Sequence, residues 1–126
     1  MLNSVIDPVY SRAFADLVEP LPTPIAELTA RLVAMVAAHP GLSGKVATGW
    51  KAVNFRHSAA GQICSVFPQA ESVSLYFQHG RLLGHGEGLL LGDGLKQGRY
   101  LRLGSEDDIP VDQIGFLLAE AIALVA

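Results

Sequence analysis

Between residues 50 and 104 apolar and polar side chains alternate with a period of two. Val73, Leu75 and Phe77 fall on one side of an extended segment, and Ser72, Ser74, Tyr76 and Gln78 on the other. A helix has a period of 3.6, so this stretch specifies strands of a sheet with one buried side. Trp50 opens the stretch. Seven glycines from Gly80 to Gly98 interrupt it before Arg99–Leu103, where Leu101 and Leu103 alternate with Tyr100 and Arg102.

The other strands read in the same way. Val53 and Phe55 alternate with Asn54 and Arg56. His57 to Gly61 reads as a hairpin turn, with Gly61 free to take a positive φ. Gln62–Phe67 is largely apolar, which suits a central strand, and Pro68 ends it. Ser72–His79 is the clean amphipathic strand, turned by Gly80, and Arg81-Leu82-Leu83 reads as a further short strand.

Helical spacing appears only at the two ends of the chain. Asp7-Pro8 reads as an N-cap with proline in the first turn, opening a helix over about residues 8–19. Pro20, Pro22 and Pro24 then impose an extended connection. Thr23-Pro24 starts a second helix, with Ile25, Leu28, Leu32, Met35 and Val36 in one stripe and Glu27 spaced to pair with Arg31. His39-Pro40-Gly41 stops it. A closing helix over about 110–125 presents Val111, Ile114, Leu117, Leu118, Ala121, Ile122 and Val125, with acidic residues at its start suited to the helix dipole. Gly115 inside it is expected to mark close packing on the sheet. Helices, then strands, then a helix predict an α+β fold: a mostly antiparallel sheet covered on one face by N-terminal and C-terminal helices. The 126 residues suit one domain, with 1–23 as an N-terminal helix and proline-rich lead-in.

Composition narrows the function classes. A net charge of −3 argues against general nucleic-acid binding while leaving room for a local basic patch. Cys64 is the only cysteine, so no internal disulfide forms. No apolar run approaches the roughly 20 residues of a membrane span. The N-terminus lacks the pattern of a secretory signal, and a cytoplasmic location is expected.

Four groups of residues bear on chemistry. Gly84-His85-Gly86-Glu87-Gly88 and Gly92-Asp93-Gly94 have the look of a phosphate loop, but a strand follows them where a phosphate loop needs a helix, so turns explain them better. His79, His85 and Glu87 are metal-ligand types, and His85 and Glu87 form the candidate metal pair. Cys64 lies in an apolar run and behaves there as a small hydrophobe unless a base or cation activates it. Trp50, Lys51, Tyr76, Arg99 and Arg102 combine aromatic and cationic groups and form the candidate ligand site. The competing expectation is that Trp50 anchors the helix-to-sheet junction.

The order Gly49-Trp50-Lys51, Val53-Asn54-Phe55, Gly61 and Pro68 resembles the YdhG-like domain family of unknown function. Val73-Ser74-Leu75-Tyr76-Phe77 with Gly80, then Gly88-Leu89-Leu90-Leu91-Gly92-Asp93-Gly94 and Arg99-Tyr100-Leu101-Arg102-Leu103, extend the resemblance over about residues 24–125. It implies a compact α+β domain with an antiparallel sheet, similar in outline to frataxin. Some relatives carry an iron-chaperone label. Many have an acidic residue shortly before the tryptophan and a proline after it. Here those neighbourhoods hold Lys45-Val46 and Ala52-Val53, which weakens an inherited iron role, since hard cations favour oxygen ligands.

The resulting expectation is a non-enzymatic module binding a small molecule or a protein. The alternatives are an iron-binding domain, with iron as its cofactor, and an enzyme starting from Cys64 or a histidine. A homodimer through the sheet is a further expectation.

Overall fold

The computed structural model describes residues 8–86 and 88–125. Its centre is a five-stranded antiparallel meander in the order β1-β2-β3-β4-β5, formed by β1 (Leu42–Ala47), β2 (Ala52–His57), β3 (Gly61–Pro68), β4 (Val73–Phe77) and β5 (Arg99–Leu103). Three α-helices accompany it: α1 (Arg12–Val18), α2 (Thr23–Ala37) and α3 (Val111–Val125). The alternation of β4 is realised as read. Val73, Leu75 and Phe77 are sealed in the core, while Ser74 and Tyr76 sit on the opposite side, half-buried.

Helices α2 and α3 cover the apolar side and both touch β3, which occupies the middle of the sheet. Ile25, Leu28, Leu32, Val33 and Val36 of α2 and Ile114, Leu117, Leu118 and Ala121 of α3 bury against Val53, Phe55, Val66, Leu75, Leu101 and Leu103. Thr29 is buried on the apolar side of α2 because its hydroxyl donates to the Ile25 carbonyl at 2.7 Å, leaving no polar atom without a partner. A bulge lets β3 bury consecutive residues. Phe55 opposes Cys64 while Arg56 opposes Gln62, so Ile63 has no opposite number on β2.

Several expectations are corrected. Strand β1 was not expected from the sequence. Its inward positions are Leu42, Gly44 and Val46, and glycine breaks the apolar alternation. Gly44 is required there, because a Cβ would lie 2.6 Å from Phe55 Cε1 and 2.7 Å from Pro8 Cγ. The first α-helix starts at Arg12, not residue 8. A 3-10 turn, Pro8–Tyr10, precedes it, and the Ser11 hydroxyl caps it by accepting from the Phe14 N–H at 3.0 Å. Asp7, the expected cap, lies outside the described residues. In α2 the N-cap is Pro22 and Thr23 is already helical. Arg31 pairs with Glu106 at 3.8 Å, not with Glu27. Arg81–Leu83 is not a strand: Gly80–Leu82 forms a 3-10 turn.

Gly115 is also corrected. A Cβ at this position meets nothing within 4 Å, so close packing does not explain the glycine. Gly115→Ala is therefore expected to raise the unfolding free energy by about 0.5–1 kcal/mol, by removing backbone freedom from the unfolded chain. Urea denaturation followed by circular dichroism measures the change, and a loss of stability would refute the reading of α3 as unobstructed at this turn.

Candidate functional site

Among the described residues no helix covers the side of the sheet away from α2 and α3, and the glycine-rich loop reaches it at Tyr76 and Tyr100, through Gly98 and Gly92. Register fixes what it displays. Lys45, Asn54, Ser65, Tyr76 and Tyr100 are successive partners from β1 to β5, forming one row across all five strands. Ser43, Arg56 and Gln62 flank the row on one side; Phe67, Ser74 and Arg102 flank it on the other. The strands contain Lys45, Arg56, Arg99 and Arg102 but no Asp or Glu. The described carboxylates lie in helices, turns and loops, so a chain of net charge −3 presents a cationic sheet.

Trp50 stands over this face. It sits in the β1–β2 turn, where Trp50 N–H donates to the Ala47 carbonyl (3.1 Å) and Lys51 N–H to that of Thr48 (3.2 Å). Lys51 closes the turn at φ 54°, a left-handed conformation that costs a non-glycine residue on the order of 1 kcal/mol. Trp50 is left 71% exposed, so the expectation that it anchors a core junction is overturned. With Asn54, Gln62, Ser65, Phe67, Tyr76 and Gln78 it lines a depression of about 450 Å³. A second depression of about 530 Å³ contains Lys45 and Arg56 and shares Asn54 and Gln62 with the first. Both volumes fall in the range of ligand sites.

The floor is ordered by a short polar network. Ser65 Oγ donates to Asn54 Oδ1 at 2.6 Å and accepts from Gln62 Nε2 at 3.2 Å, which also donates to the Cys64 carbonyl at 3.0 Å. This leaves Asn54 Nδ2 as a donor and Gln62 Oε1 as an acceptor for an incoming group. The Tyr76 ring stands edge-on to Phe67 at 6.3 Å and is backed by Gly98, whose missing Cβ would overlap it. Arg102 lies over the Tyr100 ring at 5.3 Å, a cation–π contact.

The five residues singled out by sequence separate in space. Trp50 and Tyr76 share the first depression, and Arg102 lies on the same face at the β5 edge. Lys51 lines a different hollow of about 220 Å³ against Ala13, Asp16 and Leu17 of α1. Arg99 is register partner to Phe77, on the other side of the sheet. Its guanidinium donates to the Leu95 and Gly98 carbonyls (3.1 and 2.7 Å) and lies 3.7 Å from Asp93, clipping the glycine-rich loop. Lys45, Asn54, Arg56, Gln62 and Ser65 complete the site and were not singled out. Strand phase carries the signal for Asn54 and Arg56, which alternate against Val53 and Phe55, whereas Lys45 lies on a strand that the sequence does not announce.

The remaining candidates resolve differently. Cys64 is buried on the helix side, and burial pushes its thiol far above the ordinary range, away from the thiolate that a nucleophile needs. His85 is engaged by Glu120 of α3, and Glu87 lies outside the described residues. Among the described residues no group of three or more His, Cys, Asp or Glu comes together to hold a metal. No described helix is long and apolar enough to cross a membrane.

Glu120 is the single charge interrupting the apolar run Phe116–Ala126, and the partner it holds is not encoded in that spacing. Its carboxylate accepts from the Gly84 and His85 N–H groups (2.8 and 3.0 Å) and from His85 Nδ1 (2.8 Å), and the His85 ring stacks on Phe116. The His85 backbone bond, then its ring bond, holds the Glu120 carboxyl below its ordinary value of 4.5, against an opposing effect of burial. A depressed folded value means that this stabilisation is fully present above about pH 4.5 and is lost as pH falls through the folded value. Glu120→Gln is expected to lower stability at neutral pH and flatten its fall below about pH 4.5. Thermal melts across pH measure this, and an unchanged acid limb would refute it.

No protein-family model, curated protein or solved structure matches the chain.

Proposed function

We propose that the chain is a non-enzymatic binding module whose open sheet face receives an anionic partner carrying planar groups. The observation that supports this most is the charge separation: a five-stranded sheet with cations and no carboxylate, under an exposed tryptophan, in a chain that is acidic as a whole. Cations with low-carboxylate surroundings focus a positive potential and raise the local concentration of anions. Aromatic faces in the same depression supply apolar contact that charge alone does not. The buried thiol of Cys64 supports a module without a nucleophile there. Pairing two copies through this face would set Lys45, Arg56 and Arg102 among their own kind, so the charge pattern favours a foreign anion over a second copy.

Trp50 is the only tryptophan and lies at the edge of the proposed site, so its emission reports occupancy directly. Titration with polyglutamate, dextran sulfate and a pyrimidine oligonucleotide is expected to give a saturable change with at least one of them. Lys45→Glu with Arg56→Glu is expected to weaken that response tenfold or more, with the melting temperature little changed, because both residues are exposed. No response to any of the three anions would end this reading.

A further inference from the structure

The spacing of the charges on the open face narrows the partner further, on the premise that this face does bind anions. Lys45 and Arg56 lie on β1 and β2, whereas Arg102 lies on β5. With strands about 4.8 Å apart, the two cationic regions are separated by roughly 14–19 Å of sheet. One phosphate or carboxylate cannot reach both, so the complementary ligand repeats its charge along a chain.

Phe67 on β3 and Tyr76 on β4 lie between these charges, with Trp50 beside them in the β1–β2 turn. Trp50, Phe67 and Tyr76 border the central depression, and the Asn54–Ser65–Gln62 network offers it one free amide donor and one free amide acceptor. A planar ring with a donor–acceptor edge satisfies both the aromatic faces and the amide pair. A repeated anion with planar, donor–acceptor rings between its charges is a single-stranded nucleic acid. A duplex keeps its rings stacked inside and offers this face phosphates only. Polyglutamate repeats its charge but has no ring for Trp50, Phe67 or Tyr76.

We propose that the open sheet face binds single-stranded nucleic acid, with bases against Trp50, Phe67 and Tyr76 and phosphates at Lys45, Arg56 and Arg102. The acidic remainder of the chain limits binding to this face and keeps the number of phosphate contacts small. Three contacts give a slope of log K against log salt near −2, from about −0.7 per phosphate on a single strand.

The test is fluorescence anisotropy of the full chain with a labelled oligothymidylate of about ten nucleotides, a size within the range of single-strand sites. Competitors are the same sequence as a duplex, thymidine monophosphate, polyglutamate and dextran sulfate. The expected result is saturable binding of the oligonucleotide with the shallow salt slope above, preferred over every competitor. Trp50→Ala is expected to lose roughly tenfold or more through stacking, and Lys45→Glu with Arg56→Glu to flatten the salt slope. All three positions are exposed, and a retained circular dichroism spectrum separates lost contacts from lost fold. Equal affinity for duplex and single strand, monophosphate binding as tight as the oligonucleotide, or an unaffected Trp50→Ala variant would each overturn the single-strand assignment. Binding of polyglutamate or dextran sulfate without the oligonucleotide would overturn it too, while leaving the anion-binding face intact. Silence with every anion would remove both.

Discussion

Phe77→Ala is expected to lower the unfolding free energy by about 3–5 kcal/mol. Phe77 has 0% exposure and lies on β4 with Cys64 of β3 and Arg99 of β5 as its register partners. Removing the ring deletes apolar contact and leaves a cavity whose walls are held apart by hydrogen-bonded strands on both sides. A site that cannot collapse falls toward the upper part of that range. Domains of this size are stable by only about 5–15 kcal/mol in total, so the loss is a large share of the whole. It corresponds to a fall in melting temperature on the order of 10–20 °C. Urea denaturation with an unchanged m-value measures it, and Tyr10→Ala, at an 84% exposed ring, is the control expected to stay near zero. A cost below about 1 kcal/mol for Phe77→Ala would mean that the inner face of β4 is not packed as described.

The same residue shows which parts of the fold were legible. Val73, Leu75 and Phe77 alternate with polar residues over a full strand, and no other regular structure buries that pattern on one side. The stripes of α2 and α3 were legible too, because Ile25, Leu28, Leu32 and Val36, then Ile114, Leu117, Leu118 and Ala121, recur at helical spacing and bury, whereas Val111 and Val125, expected on the same face, lie exposed at the two ends of α3. What failed was local. In β1 the inward position opposite Phe55 is Gly44, so a strand with two-residue periodicity lost the apolar member that would have announced it. Leu82 and Leu83 carry strand-like side chains, yet the backbone N–H groups of Leu82 and Leu83 turn back to His79 and Gly80, a closure that side-chain pattern does not encode.

The site was less legible than the core, for a different reason. Trp50, Tyr76 and Arg102 could be found by type and strand phase. Arg99 shares the phase of Leu101 and Leu103, so the same phase already placed it on the other side of the sheet from Arg102. Lys45 and Arg56 share one depression only through the β1–β2 register, and that register cannot be drawn from a sequence that does not announce β1. Net charge hid the remainder: the sum of −3 conceals strands that carry only positive groups. Charge averaged over a chain says little about a face when carboxylates and cations are segregated by element.

The glycines of the 80–98 stretch lead to the second large expected effect. Their density suggested turns that need positive φ, and Gly88 and Gly92 have it. Gly80 does not; it is small because β5 passes against it. A Cβ there would lie 2.5 Å from the backbone nitrogen of Arg99 and 2.9 Å from its Cα. Backbone cannot rotate aside as a side chain can. The clash therefore moves either the Gly80–Leu82 turn, whose Arg81 N–H donates to the Gln97 carbonyl at 2.9 Å, or the end of β5 where Arg99 pairs with Phe77. Gly80→Ala is expected to destabilise by about 3 kcal/mol, the upper part of the usual overpacking range. The sign is opposite to that expected for Gly115→Ala, although both exchanges are the same in chemistry and differ only in what the added methyl meets. Hydrogen exchange locates the damage: protection is expected to fall first at the amides of Arg81 and of β5, with β1 and β2 retained. A neutral Gly80→Ala variant would show that β5 does not pass that close, and would remove the steric account of why this loop begins with glycine.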